Sequence, residues 1–239
     1  MSTFLTAEWR KLIMAQYEVP PATLAPWLPQ GLELDLFQGR CYVSLVGFLF
    51  DRVRIKGLAI PFHTRFEEVN LRFYVARTEP DDTRKRGVVF IREFVPRAAI
   101  TLIANSLYEE PYATLPMRHT IASAPGALTV SYSWRHQQSW HSLAVEADPT
   151  PQPIVPSSEE DFITEHYWGY TKRTHGATSE YGVQHPRWQV YPIRNFGGKA
   201  DLAALYGPAF ASLNDRPPAS ILLAEGSSVT VSTGTRLPA

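Results

Sequence analysis

Hydrophobic and polar side chains alternate most regularly between residues 66 and 75, in the segment FEEVNLRFYV. As a β-strand, this segment turns its apolar side chains to one face and its polar side chains to the other, because successive residues of a strand point in opposite directions. The polar face would carry Glu68, Asn70, Arg72 and Tyr74. A carboxylate, an amide and a guanidinium on one side of a strand can begin a ligand site. A slip of one residue in register would place Glu67 there in place of Glu68.

The same patterning predicts short strands along the rest of the chain. Alternating or continuously apolar runs indicate strands at residues 32–36, 40–50, 88–95, 128–134, 141–145 and around Trp188. We expect Gln38 and Gly39 to join the first two as a hairpin, and the charged residues 81–86 to form the exposed tip of another. A last hairpin over residues 221–232 would turn at Glu225 and Gly226. Residues 5–19 fit a helical face as well as a strand.

Short helices are predicted between these strands, at residues 22–28, from Pro96 onward, from Ser157 to Gly169, and at 200–206. Pro96 suits the first turn of a helix, so Arg97 would lie where a cation opposes the helix dipole and needs an anionic partner. The helix after Ser157 begins with a capping box and would carry His166 and Tyr167 near its end.

Composition and charge narrow the class of protein. The chain has 239 residues, 44% of them hydrophobic and 20 of them proline, so we expect one mostly β domain over residues 1–239. Lysine plus arginine equals aspartate plus glutamate at 23 each, which gives no field to attract nucleic acid. Cys41 is the single cysteine, which excludes an internal disulfide and suits a reducing cytosol. With neither a signal-peptide pattern nor an apolar run of about 20 residues, we expect a cytoplasmic protein without membrane contact.

Motifs for familiar cofactors and hydrolases are missing from the sequence. It contains no GxGxxG after a strand, no phosphate loop, no HExxH, no GxSxG and no CxxC. His136 and His141 lack a third ligand at a recognised spacing for a metal. We therefore expect no cofactor and no metal, and a small molecule as the partner, with a homo-oligomer left open.

The strongest candidate for chemistry is the polar face of the strand at 66–75 together with Arg97. A carboxylate between two guanidiniums can hold an oxyanion or a carboxylate in bidentate fashion. The same residues can also form an internal salt-bridge network along a strand. An aromatic wall is predicted from the later half of the chain, where two histidines could act as general bases in an apolar pocket. Packing of these aromatic side chains in the core is the alternative.

These arguments define a set of candidate site residues. The predicted catalytic residues are Glu68, Arg97 and His166. The predicted ligand-binding residues are Asn70, Arg72, Tyr108, Tyr167, Tyr170, His185 and Trp188. Lys172, beside Arg173, could have a depressed pKa suited to a Schiff base, although two cations at a helix C-terminus are an ordinary favourable arrangement.

Four blocks of the sequence are distinctive: LPQGLELDLFQGRCYVSLVGF, FEEVNLRFYV, FITEHYWGYT and the later HPRW. On these blocks the chain resembles, over nearly its whole length, a bacterial family known as domain of unknown function 2071, DUF2071. This family is grouped with acetoacetate decarboxylase, which implies an antiparallel, cone-like β-barrel with peripheral helices and a central pocket. Glu68 is similar in placement to an acidic residue that lines the pocket of that group.

The resemblance also implies what the chain does not do. In the decarboxylases an arginine-glutamate pair on a strand precedes a proline and two lysines, the first of which forms the Schiff base. Here Arg92 and Glu93 precede Pro96, and Arg97 stands in the lysine position. A guanidinium stays protonated and cannot condense with a ketone. The expected function is therefore the binding of a small anionic or carbonyl compound, with lyase or isomerase-like activity. A non-catalytic binding or sensory module, or a barrel that chiefly supports oligomer assembly, are the alternatives.

Overall fold

The computed structural model describes residues 2–107, 109–173 and 176–237, and these ranges are mostly β. The strands, numbered in chain order, are β1 (Thr3–Glu18), β2 (Glu33–Leu34), β3 (Tyr42–Ile55), β4 (Phe66–Thr78), β5 (Arg84–Val95), β6 (Tyr112–Thr114), β7 (Met117–Ala124), β8 (Ala127–His136), β9 (Ser139–Ala147), β10 (Gln152–Pro153), β11 (Trp168–Lys172), β12 (Thr178–Gln184), β13 (Gln189–Tyr191), β14 (Ile193–Lys199), β15 (Ser220–Ser232) and β16 (Thr235–Arg236). The helices are α1 (Pro21–Leu24), α2 (Ala98–Leu107), α3 (Glu159–Thr164) and α4 (Leu202–Tyr206), and a 3-10 helix covers Pro208–Leu213.

The strands form two sheets. The larger has twelve strands, ordered β10-β13-β15-β1-β3-β4-β5-β11-β12-β16, with β2 beside β4 and β6 beside β5. In addition, β12 pairs with β15. Most pairings are antiparallel, but β5 is parallel to both β11 and β6, so the sheet is mixed. The second sheet has four strands in the order β14-β9-β8-β7.

The central hairpin follows the sequence pattern closely. β4 and β5 are antiparallel neighbours, and the polar residues between them turn through Asp82, which has a φ of 64°. β5, which covers the predicted strand at residues 88–95, lies between β4 and β11 and is therefore central in its sheet. The predicted strands at residues 128–134 and 141–145 fall in β8 and β9, which are antiparallel neighbours.

The apolar faces of both sheets meet in one core. Trp134 and Tyr132 of β8 are fully buried, in the same hydrophobic cluster as Leu71 and Phe73 of β4. A second buried cluster lies on the other face of the large sheet, and it includes Val46 and Phe48 of β3. Because the large sheet is buried on both faces, the polar side of β4 points into the protein interior.

Three predicted elements are wrong in detail. Residues 221–232 belong to the single strand β15, and Gly226 (φ 79°) makes an irregularity opposite β1 in place of a turn. The predicted turn at Gln38 and Gly39 is present, with φ of 50° and 80° and reciprocal backbone hydrogen bonds between Phe37 and Arg40, but β2 pairs with β4 and not with β3. The helix after Ser158 ends at Thr164, because the following residues leave it to pair with β5 and β12.

The open question for residues 5–19 is also answered, since β1 runs from Thr3 to Glu18 between β15 and β3. No helix in the described parts of the chain is long and apolar enough to cross a lipid bilayer.

Candidate functional site

A cavity of about 120 Å³ lies in the interior, on the polar side of β4. Most of its lining is apolar and aromatic. This lining includes Trp9, Phe48, Phe50, Phe66 and Phe90, with Ile100 and Ile103 from α2. Small-molecule sites are usually concave and mostly apolar, with a few polar groups in the wall.

The polar row on β4 lines this cavity. Glu68, Asn70 and Arg72 are 2%, 2% and 8% exposed, and all three contribute to the lining, as the alternation of β4 predicts. Glu67 faces the opposite way, where its carboxylate lies 2.6 Å from Nδ1 of His119. The register question is therefore answered in favour of Glu68.

Two further carboxyl groups join Glu68 in the cavity wall. Pairing of β4 with β5 sets Glu93 opposite Asn70, and pairing of β5 with β6 sets Tyr112 opposite Glu93. Glu110 reaches the same wall two residues before Tyr112. We call Glu68, Glu93 and Glu110 the carboxyl cluster.

Hydrogen bonds tie the carboxyl cluster to its surroundings. Oε1 of Glu68 accepts a bond of 2.9 Å from the amide of Asn70, and its Oε2 accepts one of 3.0 Å from the hydroxyl of Tyr112. Tyr181, from β12, donates its hydroxyl hydrogen to Glu110. Both tyrosines line the cavity, so the cluster is held by two strands besides β4 and β5.

Burial changes the acidity of the cluster. Removal from water raises the pKa of Glu68 and of Glu110 to about 7 each, partly offset by their hydrogen bonds. Burial and the neighbouring carboxylates raise the pKa of Glu93 well above its usual value. At neutral pH the cluster therefore holds both protonated and ionised carboxyl groups.

Arg72 is the cation of this wall. Its Nη2 lies 3.5 Å from the carbonyl oxygen of Ile163 and 3.8 Å from the sulfur of Met14. Its charge lowers the pKa of Glu68, against the larger effect of burial. The guanidinium and the carboxyl cluster thus partly neutralise each other.

His166 occupies another part of the lining. Its side chain is 1% exposed, and Nε2 lies 3.1 Å from the carboxylate of Asp35. Asp35 also accepts hydrogen bonds from Arg84 and Arg86, at 3.1 Å and 2.7 Å. Burial lowers the pKa of His166 to about 4, so the ring is neutral at pH 7.

His185 and Trp188 complete the aromatic side of the cavity. Their rings stack at 4.3 Å, and the indole nitrogen donates a 2.9 Å hydrogen bond to the hydroxyl of Ser227. Burial lowers the pKa of His185, whose Nδ1 lies 3.0 Å from the carbonyl oxygen of Pro186. The structure therefore brings both predicted residues to the cavity.

Five polar atoms of the lining residues are buried and have no hydrogen-bond partner among the described residues. They are Nε1 of Trp9, Oδ1 of Asn70, Nε of Arg72, Oε2 of Glu93 and Nδ1 of His166. A buried polar group left unpaired costs about 1–3 kcal/mol. Five such atoms around one cavity are what a polar ligand would satisfy.

Several predicted site residues lie elsewhere. Arg97 does not line the cavity; β5 ends at Val95, so strand alternation no longer directs its side chain, and its charge acts on Glu67 instead. Tyr170 is 1% exposed and packs in the core cluster that contains Trp134.

Tyr167 lies outside the cavity, with its hydroxyl bonded to Glu165 at 2.5 Å and its ring 4.7 Å from that of His185. Lys172 donates to the carbonyl oxygen of Pro26 at 2.9 Å on the surface. Tyr108 lies outside the described residues. None of the described residues that line the cavity is a lysine.

The residues that sequence reasoning missed come from long-range pairing. Glu110, Tyr112 and Tyr181 reach the cavity through the parallel pairing of β6 with β5 and the position of β12, which no local pattern encodes. Asp35 lies between leucines in an alternating pattern, which indicates a strand but does not indicate that Asp35 binds a histidine. Glu93 follows Arg92 in the motif that resembles the decarboxylases, and this motif could have identified Glu93 as a candidate site residue.

Comparisons with known proteins agree with this fold. The profile of DUF2071, described as an uncharacterised conserved protein, matches residues 6–228. The uncharacterised protein YqjF of Bacillus subtilis is 28% identical over 111 residues, which are 46% of this chain and 44% of YqjF. That match therefore spans less than half the length of this relative.

Solved structures of similar shape share little sequence with the chain. Acetoacetate decarboxylase from Legionella pneumophila has a TM-score of 0.66 at 11% identity, over 99% of this chain and 88% of that one. An acetoacetate decarboxylase-like enzyme from Sphingomonas wittichii gives 0.66 at 13%, over 100% and 95%. The enduracididine biosynthesis enzyme MppR, complexed with pyruvate, gives 0.67 at 12%, over 100% and 91%. At these identities the likeness shows a common fold.

Proposed function

Since the chain belongs to the DUF2071 family and shares its fold with acetoacetate decarboxylase-like proteins, we propose that its cavity binds a small carbonyl compound and that the carboxyl cluster moves a proton to and from the carbon beside the carbonyl. The reaction class is that of a lyase or isomerase that acts through proton transfer. The observation that carries this proposal is the carboxyl cluster itself, with two pKa values of about 7, in an apolar cavity.

The raised pKa values of the carboxyl cluster suit this chemistry. A general base works best when its pKa lies near the working pH, because it is then both ionised and basic. Glu68 meets this condition, and the bonds from Asn70 and Tyr112 favour its ionised form. Burial and the neighbouring carboxylates raise the pKa of Glu93 well above its usual value, which favours the protonated form that can donate a hydrogen bond to the carbonyl oxygen.

The charge of the cavity favours a neutral ligand. Glu68 and Glu110, with pKa values of about 7, together carry about one negative charge at pH 7, and the raised pKa of Glu93 favours its neutral form. Arg72 supplies one positive charge to the same wall. An anion would therefore meet no uncompensated cation, and of the two expected ligand classes the carbonyl compound fits better than the carboxylate.

The proposed step balances within the cavity. The carboxylate of Glu68 takes a proton from the carbon beside the carbonyl, and the C–H electron pair becomes the C=C bond of an enol. The π electrons of the carbonyl move to its oxygen, which receives the proton of Glu93. Returning a proton to the carbon at the same or another position completes an exchange or an isomerisation.

The same proposal includes the architecture around the cavity. Pairing of β12 with β15 supports a closed barrel, since it links the two ends of the run β15-β1-β3-β4-β5-β11-β12. The burial of Trp134 and Tyr132 in one cluster with β4 supports one domain over residues 1–239.

Hydrogen exchange in heavy water tests the function. A cavity of about 150 Å³ accepts benzene, so the 120 Å³ found here calls for a ligand of roughly that size or smaller, such as 2-pentanone. We expect the protein to catalyse deuterium incorporation at the carbons beside the carbonyl, measured by proton NMR. Glu68→Gln should slow exchange at least tenfold, because an amide cannot take the proton, and general base catalysis contributes roughly 10²–10⁴-fold.

Glu146→Gln is the matched control, because Glu146 is an exposed residue of β9 outside the cavity lining. It should leave exchange unchanged. Binding of 2-pentanone without exchange would support the non-catalytic binding module instead. Tighter binding of pyruvate than of 2-pentanone would contradict the neutral-ligand argument, and the absence of binding by any ketone of this size would refute the proposal.

A further inference from the structure

His166 lines the cavity, and it uses one ring nitrogen, Nε2, for Asp35, which leaves Nδ1 buried without a partner among the described residues. A carboxylate can only accept, so the bond of 3.1 Å between Nε2 and Asp35 requires the hydrogen on Nε2. Arg84 and Arg86 already compensate the charge of Asp35, so no second proton on the imidazole is needed to balance it. The neutral ring then carries a lone pair on Nδ1.

The remaining surfaces of the ring are covered. Tyr74 packs at 4.7 Å between ring centroids and Phe162 at 5.1 Å, the latter nearly perpendicular to the imidazole at 82°. His166 is among the residues that line the cavity, and Nδ1 is buried without a partner among the described residues. A fixed acceptor of this kind has one natural complement, a hydrogen-bond donor on the bound molecule.

We propose that the ligand carries a hydroxyl group that donates to Nδ1 of His166, so that the natural substrates are small hydroxy-carbonyl compounds with the two groups at opposite ends of a short apolar body. This inference rests on the proposed function for the carbonyl end and adds the second polar end. Asp35 acts as a positioning residue, because its bond to Nε2 fixes which ring nitrogen accepts.

Selectivity follows from the cost of leaving the acceptor unpaired. A ligand without a donor leaves Nδ1 desolvated, whereas a hydroxyl at the right distance satisfies it. One net hydrogen bond of this kind corresponds to a gain in affinity of roughly threefold to tenfold. The gain should depend sharply on chain length, since both ends of the ligand must reach their partners at once.

A matched series of ligands tests this inference. The probes are 4-hydroxy-2-butanone, 5-hydroxy-2-pentanone and 6-hydroxy-2-hexanone, each compared with its parent 2-alkanone by calorimetry on the full chain. We expect one hydroxyketone to bind roughly threefold to tenfold more tightly than its parent. In His166→Phe this ratio should fall to about one. In His136→Phe, which changes a histidine of β8 outside the cavity lining, the ratio should persist.

A measurement on the unmodified protein covers the case in which His166→Phe fails to fold. In nitrogen-15 NMR, Nδ1 of His166 should have the shift of an unprotonated nitrogen, and the best hydroxyketone, but not its parent, should move it toward the hydrogen-bonded position. A protonated Nδ1 in the free protein, or equal affinities for all hydroxyketones and their parents, would overturn the inference. Failure of the parent alkanones to bind would count against the proposed function, whereas their binding without any hydroxyl gain would count against this inference alone.

Discussion

Replacing Glu68 by glutamine should stabilise the protein at pH 8 more than at pH 5. Glutamine keeps the shape of the side chain and one oxygen that can accept from Asn70 or Tyr112, but it cannot ionise. The wild-type carboxyl has a pKa of about 7 when folded, against an ordinary value of 4.5. A group whose folded pKa is raised contributes stability that is fully present below its unfolded pKa and is lost as the pH rises through the folded one.

The size of the change in stability follows from the difference between the folded and the unfolded pKa of Glu68. A rise of about 2.5 units corresponds to an upper limit of about 3 kcal/mol at high pH, at roughly 1.4 kcal/mol per unit. At pH 5 most of the folded carboxyl is protonated and the loss is under about 1 kcal/mol. The advantage of Glu68→Gln over wild type should therefore grow by about 2 kcal/mol between pH 5 and pH 8.

Urea unfolding of both proteins at the two pH values measures this difference directly. Glu146→Gln serves again as the control for replacing a carboxyl by an amide, because Glu146 is an exposed residue of β9. A difference between Glu68→Gln and wild type that is the same at pH 5 and pH 8 would refute the reasoning, because it would mean that Glu68 ionises as easily in the folded protein as in the unfolded chain.

Three other changes probe the walls of the cavity. Asp35→Asn should cost roughly 1–2 kcal/mol at pH 7, and the deficit should narrow as the pH falls from 4 toward 2, because the lowered pKa of Asp35, about 2, stabilises the fold only while the carboxyl is ionised; urea unfolding over that range checks it. Gly169→Ala would set a Cβ 2.1 Å from the ring of Tyr181, so it should destabilise the fold by about 1–3 kcal/mol and weaken ketone binding. Gly197→Ala, whose Cβ would have no atom within 4 Å, should do neither. Thermal melts measure the stability and calorimetry measures the binding. Ala104→Trp should fill the cavity from α2 and abolish 2-pentanone binding in the same calorimetric assay, with a folded circular dichroism spectrum retained.

Local patterning was enough to predict the wall that β4 contributes. The alternation of residues 66–75 correctly gave the inward row of Glu68, Asn70 and Arg72, because both faces of a central strand are recorded in its sequence with a period of two. The helix around His166 was wrong, yet His166 still reached the cavity, since pairing of β11 with β5 and the bond from the Tyr167 N–H to the carbonyl of Arg86 bring this segment beside β5.

The parts that could not be predicted depend on contacts between distant segments. The carboxyl cluster needs β6 to run parallel to β5, which places Glu110 and Tyr112 beside Glu93. Arg97 was misplaced because the chain leaves the sheet at Val95, and past that point alternation carries no information. Gly226 was predicted to lie in a turn, but it lies inside the continuous strand β15, where it has a positive φ of 79°.

The proposed function depends on carboxyl groups that stay partly protonated near neutral pH and contact the ligand. Carbon-13 NMR of side-chain carboxyl groups, in protein labelled at glutamate and assigned by Glu68→Gln, Glu93→Gln and Glu110→Gln, measures both properties in one titration. We expect the signals of Glu68 and Glu110 to titrate near pH 7, that of Glu93 to titrate well above 4.5, and all three to shift when 2-pentanone is added. Titration of all three near pH 4.5, with no response to the ketone, would contradict the account.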